Sequence, residues 1–201
     1  VYKRQTFITV SGKGKFNTLE ELVAASKKAP LNWGVAQIGG TEHIGLAQFA
    51  KEAGIKFKVV PFGSGAQMVQ ALMAGKIDAT LPNVSEAANQ VADGSFKALA
   101  VMAEDRLKDY PNVPTTFEKG IKAKCSTTRG YAVLASTPQP IIDQISKAMV
   151  KAMKHDVFAS YLAGAGLTVE GSVAGTKVWD KQLKAEYKVA ASALKELGLI
   201  K

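Results

Sequence analysis

Two short glycine-rich stretches carry the residues that could bind a small anion. The first, Gly39-Gly-Thr-Glu-His43, follows an apolar strand candidate and opens a helix candidate at residues 42–53. Gly39 and Gly40 stand where the backbone must turn tightly or approach a ligand closely, and Thr41 stands where a helix N-cap would lie. The first NH groups of such a helix lack internal partners and carry the positive end of its dipole, which suits a carboxylate as well as a phosphate. A plain turn with an ordinary cap is the alternative.

The second stretch repeats this order of strand, glycine-rich turn and helix. In Val60-Pro-Phe-Gly-Ser-Gly65, the hydroxyl of Ser64 is flanked by Gly63 and Gly65. That hydroxyl and several NH groups could converge on one anion, although a plain turn fits the same residues. Asn83 follows a third strand candidate in the same way.

Strand and helix candidates alternate through the first half of the chain. The strand candidates are residues 31–35, 55–60, 77–81 and 96–102, and the helix candidates between them are 42–53, 67–74 and 85–92. This alternation predicts βαβ units and a parallel sheet. Ligands of such sheets sit outside the carboxyl ends of the strands, so the three loops should face one pocket.

Further helices and strands are predicted on either side of this region. Thr18 and Glu21 have the spacing of a capping box before a helix that Pro30 ends. Later in the chain we predict strands at 130–135 and 167–170, a helix from Thr137-Pro138 to 154, a helix capped by Asp156, and a helix at 176–197. The apolar faces of the first and last of these three helices are predicted to be core.

Composition excludes several classes of protein. The 201 residues are 47% hydrophobic and 21% charged, which is ordinary for a globular chain. No apolar run approaches the roughly 20 residues that span a bilayer. The single cysteine excludes an internal disulfide. One cysteine and two histidines are also too few for an ordinary structural zinc site. The net charge of +9 comes almost wholly from scattered lysines, which disfavours nucleic-acid binding because that function usually needs a clustered basic patch.

A set of motifs, weak singly but specific in their order and spacing, resembles one family from about Thr18 to the C-terminus. They include both glycine-rich stretches, and the others are Gly75-Lys-Ile-Asp-Ala79, Ala98-Leu-Ala-Val101, Tyr110-Pro-Asn-Val-Pro-Thr115 with Gly120, and Leu134-Ala-Ser-Thr-Pro138. The chain resembles the solute-binding proteins of tripartite tricarboxylate transporters, the Bug or TctC family.

The resemblance implies an α/β, periplasmic-binding-protein-like (type II) bilobal fold whose lobes clamp a small organic acid of the di- or tricarboxylate type. It implies an extracytoplasmic, periplasmic location, delivery to membrane transporter subunits, no cofactor, no enzymatic activity and a monomer when full length. The family holds carboxylates with backbone NH groups, small hydroxyls and waters. Carried onto this chain, the substrate-binding residues are Gly39, Gly40, Thr41, His43, Gly63, Ser64 and Asn83. His43 could donate to a carboxylate, or it could be a packing or helix-surface histidine.

One departure from the family shapes the predicted domain organisation. Nothing in residues 1–16 resembles the strand and glycine-rich loop that begin the family's first lobe. We therefore expect a truncated chain, with residues 1–10 as a remnant of the first lobe or hinge strand, 11–128 as the complete second lobe, and 129–201 as the C-terminal part of the first lobe. Such a half-site should bind its acid weakly or not at all, and a signal segment is not in this chain.

Two other functions stay open at this point. The same lobe architecture serves as the effector-sensing domain of transcription regulators, which would need a helix-turn-helix upstream. An enzyme would need Cys125 as a nucleophile beside His43 or His155, and spatial closeness of those residues is required for that chemistry. A spare thiol is the simpler interpretation of Cys125.

Overall fold

The computed structural model describes residues 2–164 and 167–201. The strands are β1 (Tyr2–Gln5), β2 (Phe7–Ser11), β3 (Leu31–Val35), β4 (Phe57–Pro61), β5 (Ala79–Thr80), β6 (Phe96–Val101) and β7 (Ser126–Arg129). The helices are α1 (Leu19–Lys28), α2 (Thr41–Ala53), α3 (Gly65–Met73), α4 (Val84–Ala92), α5 (Gln139–Ala152), α6 (Asp156–Ala163), α7 (Val169–Ser172) and α8 (Thr176–Glu196). In these ranges no helix is both long and apolar enough to cross a membrane.

Five strands form the main sheet in the order β4-β3-β5-β2-β6. β3 runs parallel to β4 and β5, whereas β2 is antiparallel to both of its neighbours, β5 and β6. The four strands predicted to be parallel therefore share one direction, and β2, which the prediction did not place in this sheet, runs the other way. Apolar pattern predicts that a segment is a strand, but the end from which the chain enters the sheet decides its direction.

Helices cover both faces of this sheet. Side chains of α1 and α2 join one buried cluster around Trp33, whose ring centroid lies 5.9 Å from that of Phe49. Side chains of α3 and α4, including Met68 and Val84, join a second cluster with Phe96. This three-layer arrangement fixes the ends of the parallel strands and the starts of the helices that follow them.

The helix start predicted at Thr18 is confirmed. The Thr18 hydroxyl accepts a hydrogen bond from the NH of Glu21 at 3.2 Å. The Glu21 carboxylate accepts a hydrogen bond at 2.7 Å from the NH of Asn17, one residue before the cap itself. One donor that the start of α1 leaves without a partner, the NH of Glu21, is thus satisfied, together with the loop NH of Asn17 before the cap.

Several predicted elements of the C-terminal third were wrong. Residues 130–135 are exposed and form no strand; the strand lies earlier, as β7, because β1 pairs with it there in an antiparallel two-stranded sheet. The predicted strand at 167–170 is instead the start of α7, since the Thr168 hydroxyl caps a helical turn by accepting from the NH of Gly171 at 3.1 Å. The caps of α5 and α6 are Pro138 and His155, each one residue from the predicted position.

The predicted core faces of α5 and α8 are largely exposed. No residue of α5 is buried, and in α8 only Ala193 is buried. Exposed large apolar side chains of this region include Tyr131, Leu134, Ile141, Ile145, Val178, Leu183 and Tyr187. An amphipathic helix normally buries its apolar stripe, so this surface lacks a covering layer in the part of the chain that the structure describes.

Candidate functional site

The carboxyl ends of three parallel strands meet at one edge of the main sheet. β3 pairs in parallel with β4 and with β5, so Val35, Pro61 and Thr80 end on the same side. Beyond the strands, the NH of Gly63 donates to the carbonyl of Ala36 at 2.8 Å. The two glycine-rich loops therefore run side by side, as the sequence predicts.

The first loop turns at Gly39, which has a φ of 75°. This left-handed conformation favours glycine, because other residues are strained there. Gly40 is the N-cap of α2 and its NH donates to the carbonyl of Gln37 at 3.1 Å. The prediction that Thr41 is the N-cap was wrong: Thr41 is the first residue of the helix, and its side chain is exposed. The turn at Gly39 uses one residue fewer than the pattern suggests, so the helix begins at Thr41.

His43 is a buried residue that shapes this loop. The side chain is 5% exposed, and its Nδ1 accepts a hydrogen bond from the NH of Gly39 at 2.9 Å. The ring meets Phe57 edge-to-face, with centroids 6.2 Å apart. Burial lowers the pKa of His43, so the neutral ring with its proton on Nε2 is favoured. One ring nitrogen is committed to the loop, and only Nε2 could donate to a ligand.

The end of α8 covers the first loop from outside. A β-carbon at Gly39 would lie 3.4 Å from Leu194 Cδ2 and 3.7 Å from Leu199 Cδ1. Nearby, the Lys51 ammonium and the Glu196 carboxylate form an exposed ion pair at 2.8 Å. No local pattern in the sequence signals this contact between segments about 150 residues apart.

The second loop repeats the geometry of the first. Gly63 has a φ of 76°, and Ser64 is the N-cap of α3. The Ser64 hydroxyl accepts from the NH of Gln67 at 3.3 Å. The hydroxyl thus stabilises the start of the helix, and its own proton remains free to be donated.

Asn83 stands at the third loop, as the N-cap of α4. It is 5% exposed, and its NH donates to Glu86 Oε2 at 3.1 Å. Among the residues that the structure describes, the buried side-chain oxygens of Asn83 and Ser85 have no hydrogen-bond partner. Two unpaired polar atoms at one helix start indicate a place where a ligand or water completes the hydrogen bonding.

Two acidic residues at this edge were missed by the sequence reasoning. A β-carbon at Gly40 would lie 3.7 Å from Glu42 Oε2, and one at Gly65 would lie 3.1 Å from Glu86 Oε2. Burial raises the pKa of Glu42, and the charge of Glu86 raises it further. Both lie in the first turn of the helix that follows a predicted site loop, and that position is the signal that could have found them.

Cys125 is enclosed beneath the start of α2. Its Sγ donates to the carbonyl of Thr41 at 3.6 Å, and burial raises the pKa of the thiol to about 12. A thiol of that pKa is not a nucleophile at neutral pH, because only the thiolate attacks. The other histidine, His155, is the exposed N-cap of α6. This geometry gives no support to a nucleophilic cysteine.

A separate cleft of about 430 Å³ opens between α2, β7 and α8. It is lined by Thr41, Gln48, Thr127, Thr128 and Gln182, among others. In the described ranges no three His, Cys, Asp or Glu side chains gather into a metal site.

Comparison with known proteins assigns this chain to a family. The family model of the tripartite tricarboxylate transporter family receptor, TctC, matches residues 3–197. The chain belongs to that family.

Individual relatives agree with this assignment. A UPF0065 protein of Bordetella pertussis is 29% identical over 154 residues, which are 75% of this chain and 48% of that protein. A solved TctC solute-binding protein from Polaromonas superposes with a TM-score of 0.84 at 27% identity, covering 97% of this chain and 67% of that one. An R. palustris protein solved with adipate has a TM-score of 0.81 at 20% identity, covering 98% and 67%. The fold is thus the type II periplasmic-binding-protein fold, and this chain spans about half the length of the curated relatives it matches.

Proposed function

We propose that the protein to which this chain belongs is an extracytoplasmic solute-binding protein. It captures a small organic acid at the glycine-rich edge and delivers it to a tripartite tricarboxylate membrane transporter. The observation that carries the proposal is the meeting of three helix starts, at Gly40, Ser64 and Asn83, at one edge of the sheet. Helix N-termini attract carboxylates through their NH groups and dipoles.

The family and the solved relatives support the substrate class. The receptor family is named for tricarboxylate transport, and one relative of the same fold was solved with adipate, a dicarboxylate. The site residues that we propose to contact the acid are Gly39, Gly40, Thr41, Gly63, Ser64 and Asn83, with His43 contributing through Nε2. That the acid is a di- or tricarboxylate is part of this proposal.

The division into lobes is part of the same proposal. Residues 11–128 form the second lobe, and 129–201 belong to the first, with 1–10 at the hinge. Support comes from the pairing of β1 with β7, which joins two segments near those boundaries, although β2 itself lies in the main sheet. The exposed apolar surface that includes Tyr131 and Leu134, 73% and 78% exposed, would be covered by the rest of the first lobe.

Titration calorimetry on the full-length product of the gene tests the proposal. We expect at least one acid of a panel of mono-, di- and tricarboxylates and amino acids to bind with micromolar affinity. Residues 1–201 alone should bind the same acid weakly or not at all, since a half-site lacks the contacts made when two lobes close. If no acid of the panel bound the full-length protein, the proposal would fail.

A further inference from the structure

Two carboxylates, from α2 and α4, lie against the starts of α2, α3 and α4 at the glycine-rich edge. The Glu86 carboxylate accepts the NH of Asn83 and lies against Gly65, the first residue of α3. It therefore contacts the starts of two helices at once. The Glu42 carboxylate lies against Gly40 and is held near its own NH at the start of α2. These carboxylates compete with a ligand anion for the positive ends of the helices.

Many of the loop NH groups that would hold a second carboxylate are also bonded within the chain. The NH of Gly39 donates to His43, that of Gly63 donates to Ala36, and that of Asn83 donates to Glu86. A ligand with several carboxylates would thus meet few free donors here and two like charges. Like charges at close range in a partly buried site are costly.

The start of α4 instead offers hydrogen-bond acceptors that receive no hydrogen bond from the described residues. Asn83 is more than nine-tenths buried, and its Oδ1, which faces the NH of Glu86 across a capping box, makes no hydrogen bond of ordinary distance and angle among the described residues. This oxygen lies in the same helical turn that holds the Glu86 carboxylate. An amide oxygen and two carboxylates are complementary to a group with several N–H donors and a positive charge, and an ammonium group has both.

We propose that Glu42, Glu86 and Asn83 select an organic acid that carries a protonated amine beside a single carboxylate. This inference rests on the proposed function and narrows its substrate class from acids in general to zwitterions. The ammonium group lies against Glu86 and Glu42 and donates to Asn83 Oδ1. The carboxylate of the ligand points away from both glutamates, toward the opposite lobe.

Matched ligand pairs on the full-length protein test this assignment by titration calorimetry. In each pair an ammonium group replaces one carboxylate: 3-aminopropanoate against succinate, 4-aminobutanoate against glutarate, and 5-aminopentanoate against adipate. We expect the zwitterion of the best-fitting pair to bind at least tenfold more tightly than its dicarboxylate. A dicarboxylate that binds more tightly than its zwitterion overturns the inference but leaves the proposed function standing, whereas failure of every organic acid to bind overturns both.

Two variants assign the preference to residues. Glu86→Gln keeps an oxygen acceptor for the NH of Asn83 and removes the charge, and Glu42→Gln removes the other charge. We expect each to weaken zwitterion binding about tenfold, to strengthen dicarboxylate binding and to leave the melting curve cooperative. Glu52→Gln, on the exposed last turn of the same helix as Glu42, is the control. It should change neither zwitterion binding nor dicarboxylate binding. If both site variants kept the wild-type preference for the zwitterion over the dicarboxylate, the assignment would be contradicted.

Discussion

The Nδ1 of His43 accepts a hydrogen bond from the NH of Gly39, four residues earlier, at 2.9 Å. This bond closes the first glycine-rich loop over a buried imidazole. It makes His43 a residue that positions the loop, and it limits any direct contact with a ligand to Nε2.

Replacing His43 with alanine should cost about 2–3 kcal/mol of unfolding free energy. The variant loses a buried hydrogen bond and leaves a cavity beside Phe57. Denaturant unfolding measures the cost, and His155→Ala is the control: that ring is exposed, its bond to the NH of Val157 is 3.5 Å long, and its loss should cost less than about 1 kcal/mol. Equal costs for the two variants would contradict the structural role of His43.

The same burial predicts a pH dependence of stability. Because the folded-state pKa of His43 is lowered, the unfolded chain takes up its proton first, near the usual value of about 6.5. The contribution of His43 is therefore complete above that value and declines as the pH falls below it. Unfolding free energies at pH 7.5 and 5 should differ more in the wild type than in His43→Ala, and parallel losses would argue against a buried neutral histidine.

Gly39 and Gly75 offer a matched pair for separating backbone strain from binding. Both have a positive φ, 75° and 68°, so alanine at either position should cost about 1–2 kcal/mol of stability. Only Gly39→Ala alters a proposed ligand loop, and its β-carbon would also touch Leu194. We expect Gly39→Ala alone to weaken ligand binding in the full-length protein by about tenfold. Equal affinity in the two variants would remove the first loop from the site.

Ser64 and Thr18 form a second matched pair. Each is an N-cap whose hydroxyl accepts the NH of the third helical residue, at 3.3 and 3.2 Å. Alanine at either should cost about 1 kcal/mol of stability. Because only Ser64 lies at the glycine-rich edge, we expect a several-fold loss of ligand affinity from Ser64→Ala and none from Thr18→Ala. A loss of affinity in both, or in neither, would show that the hydroxyl of Ser64 does not contact the ligand.

Close packing beneath α2 leads to another expectation. A β-carbon at Gly45 would lie 2.6 Å from Cys125 Sγ and 2.8 Å from its Cβ, so Gly45→Ala should cost about 1–3 kcal/mol. Adding Cys125→Ala should recover part of that cost by removing the sulfur. Gly164→Ala is the control, because Gly164 has a φ of −62° and only ordinary contacts at 3.6 and 3.7 Å. Equal thermal unfolding midpoints for Gly45→Ala and Gly164→Ala would contradict this packing.

The sequence predicted the elements that surround the glycine-rich edge because their signals are local. Strand endings, glycines with positive φ and the cap at Thr18 all act within a few residues. Thr41 was the predicted N-cap of α2, but the N-cap is Gly40, the residue directly after the left-handed turn at Gly39.

What the sequence could not predict depends on distant partners. The direction of β2, the contact of Leu194 with Gly39 and the pairing of β1 with β7 each join segments far apart in the chain. The apolar faces of α5 and α8 were predicted as core from periodicity alone, and periodicity does not say whether a covering layer is present. The acidic side chains at the site could not be predicted because an acidic residue is ordinary in the first turn of a helix, and the contact of Glu86 with Gly65 joins two helices.

The central claim is that a small organic acid binds at the glycine-rich edge, and amide chemical-shift mapping tests it most directly. The isotope-labelled full-length protein would be titrated with the acid that binds most tightly in calorimetry. The account predicts saturable shifts of the backbone amides of Gly39, Gly40, Thr41, Gly63, Ser64 and Asn83. Saturable shifts that leave Gly63, Ser64 and Asn83 unmoved and are confined to another surface, such as the cleft between α2, β7 and α8, would contradict it.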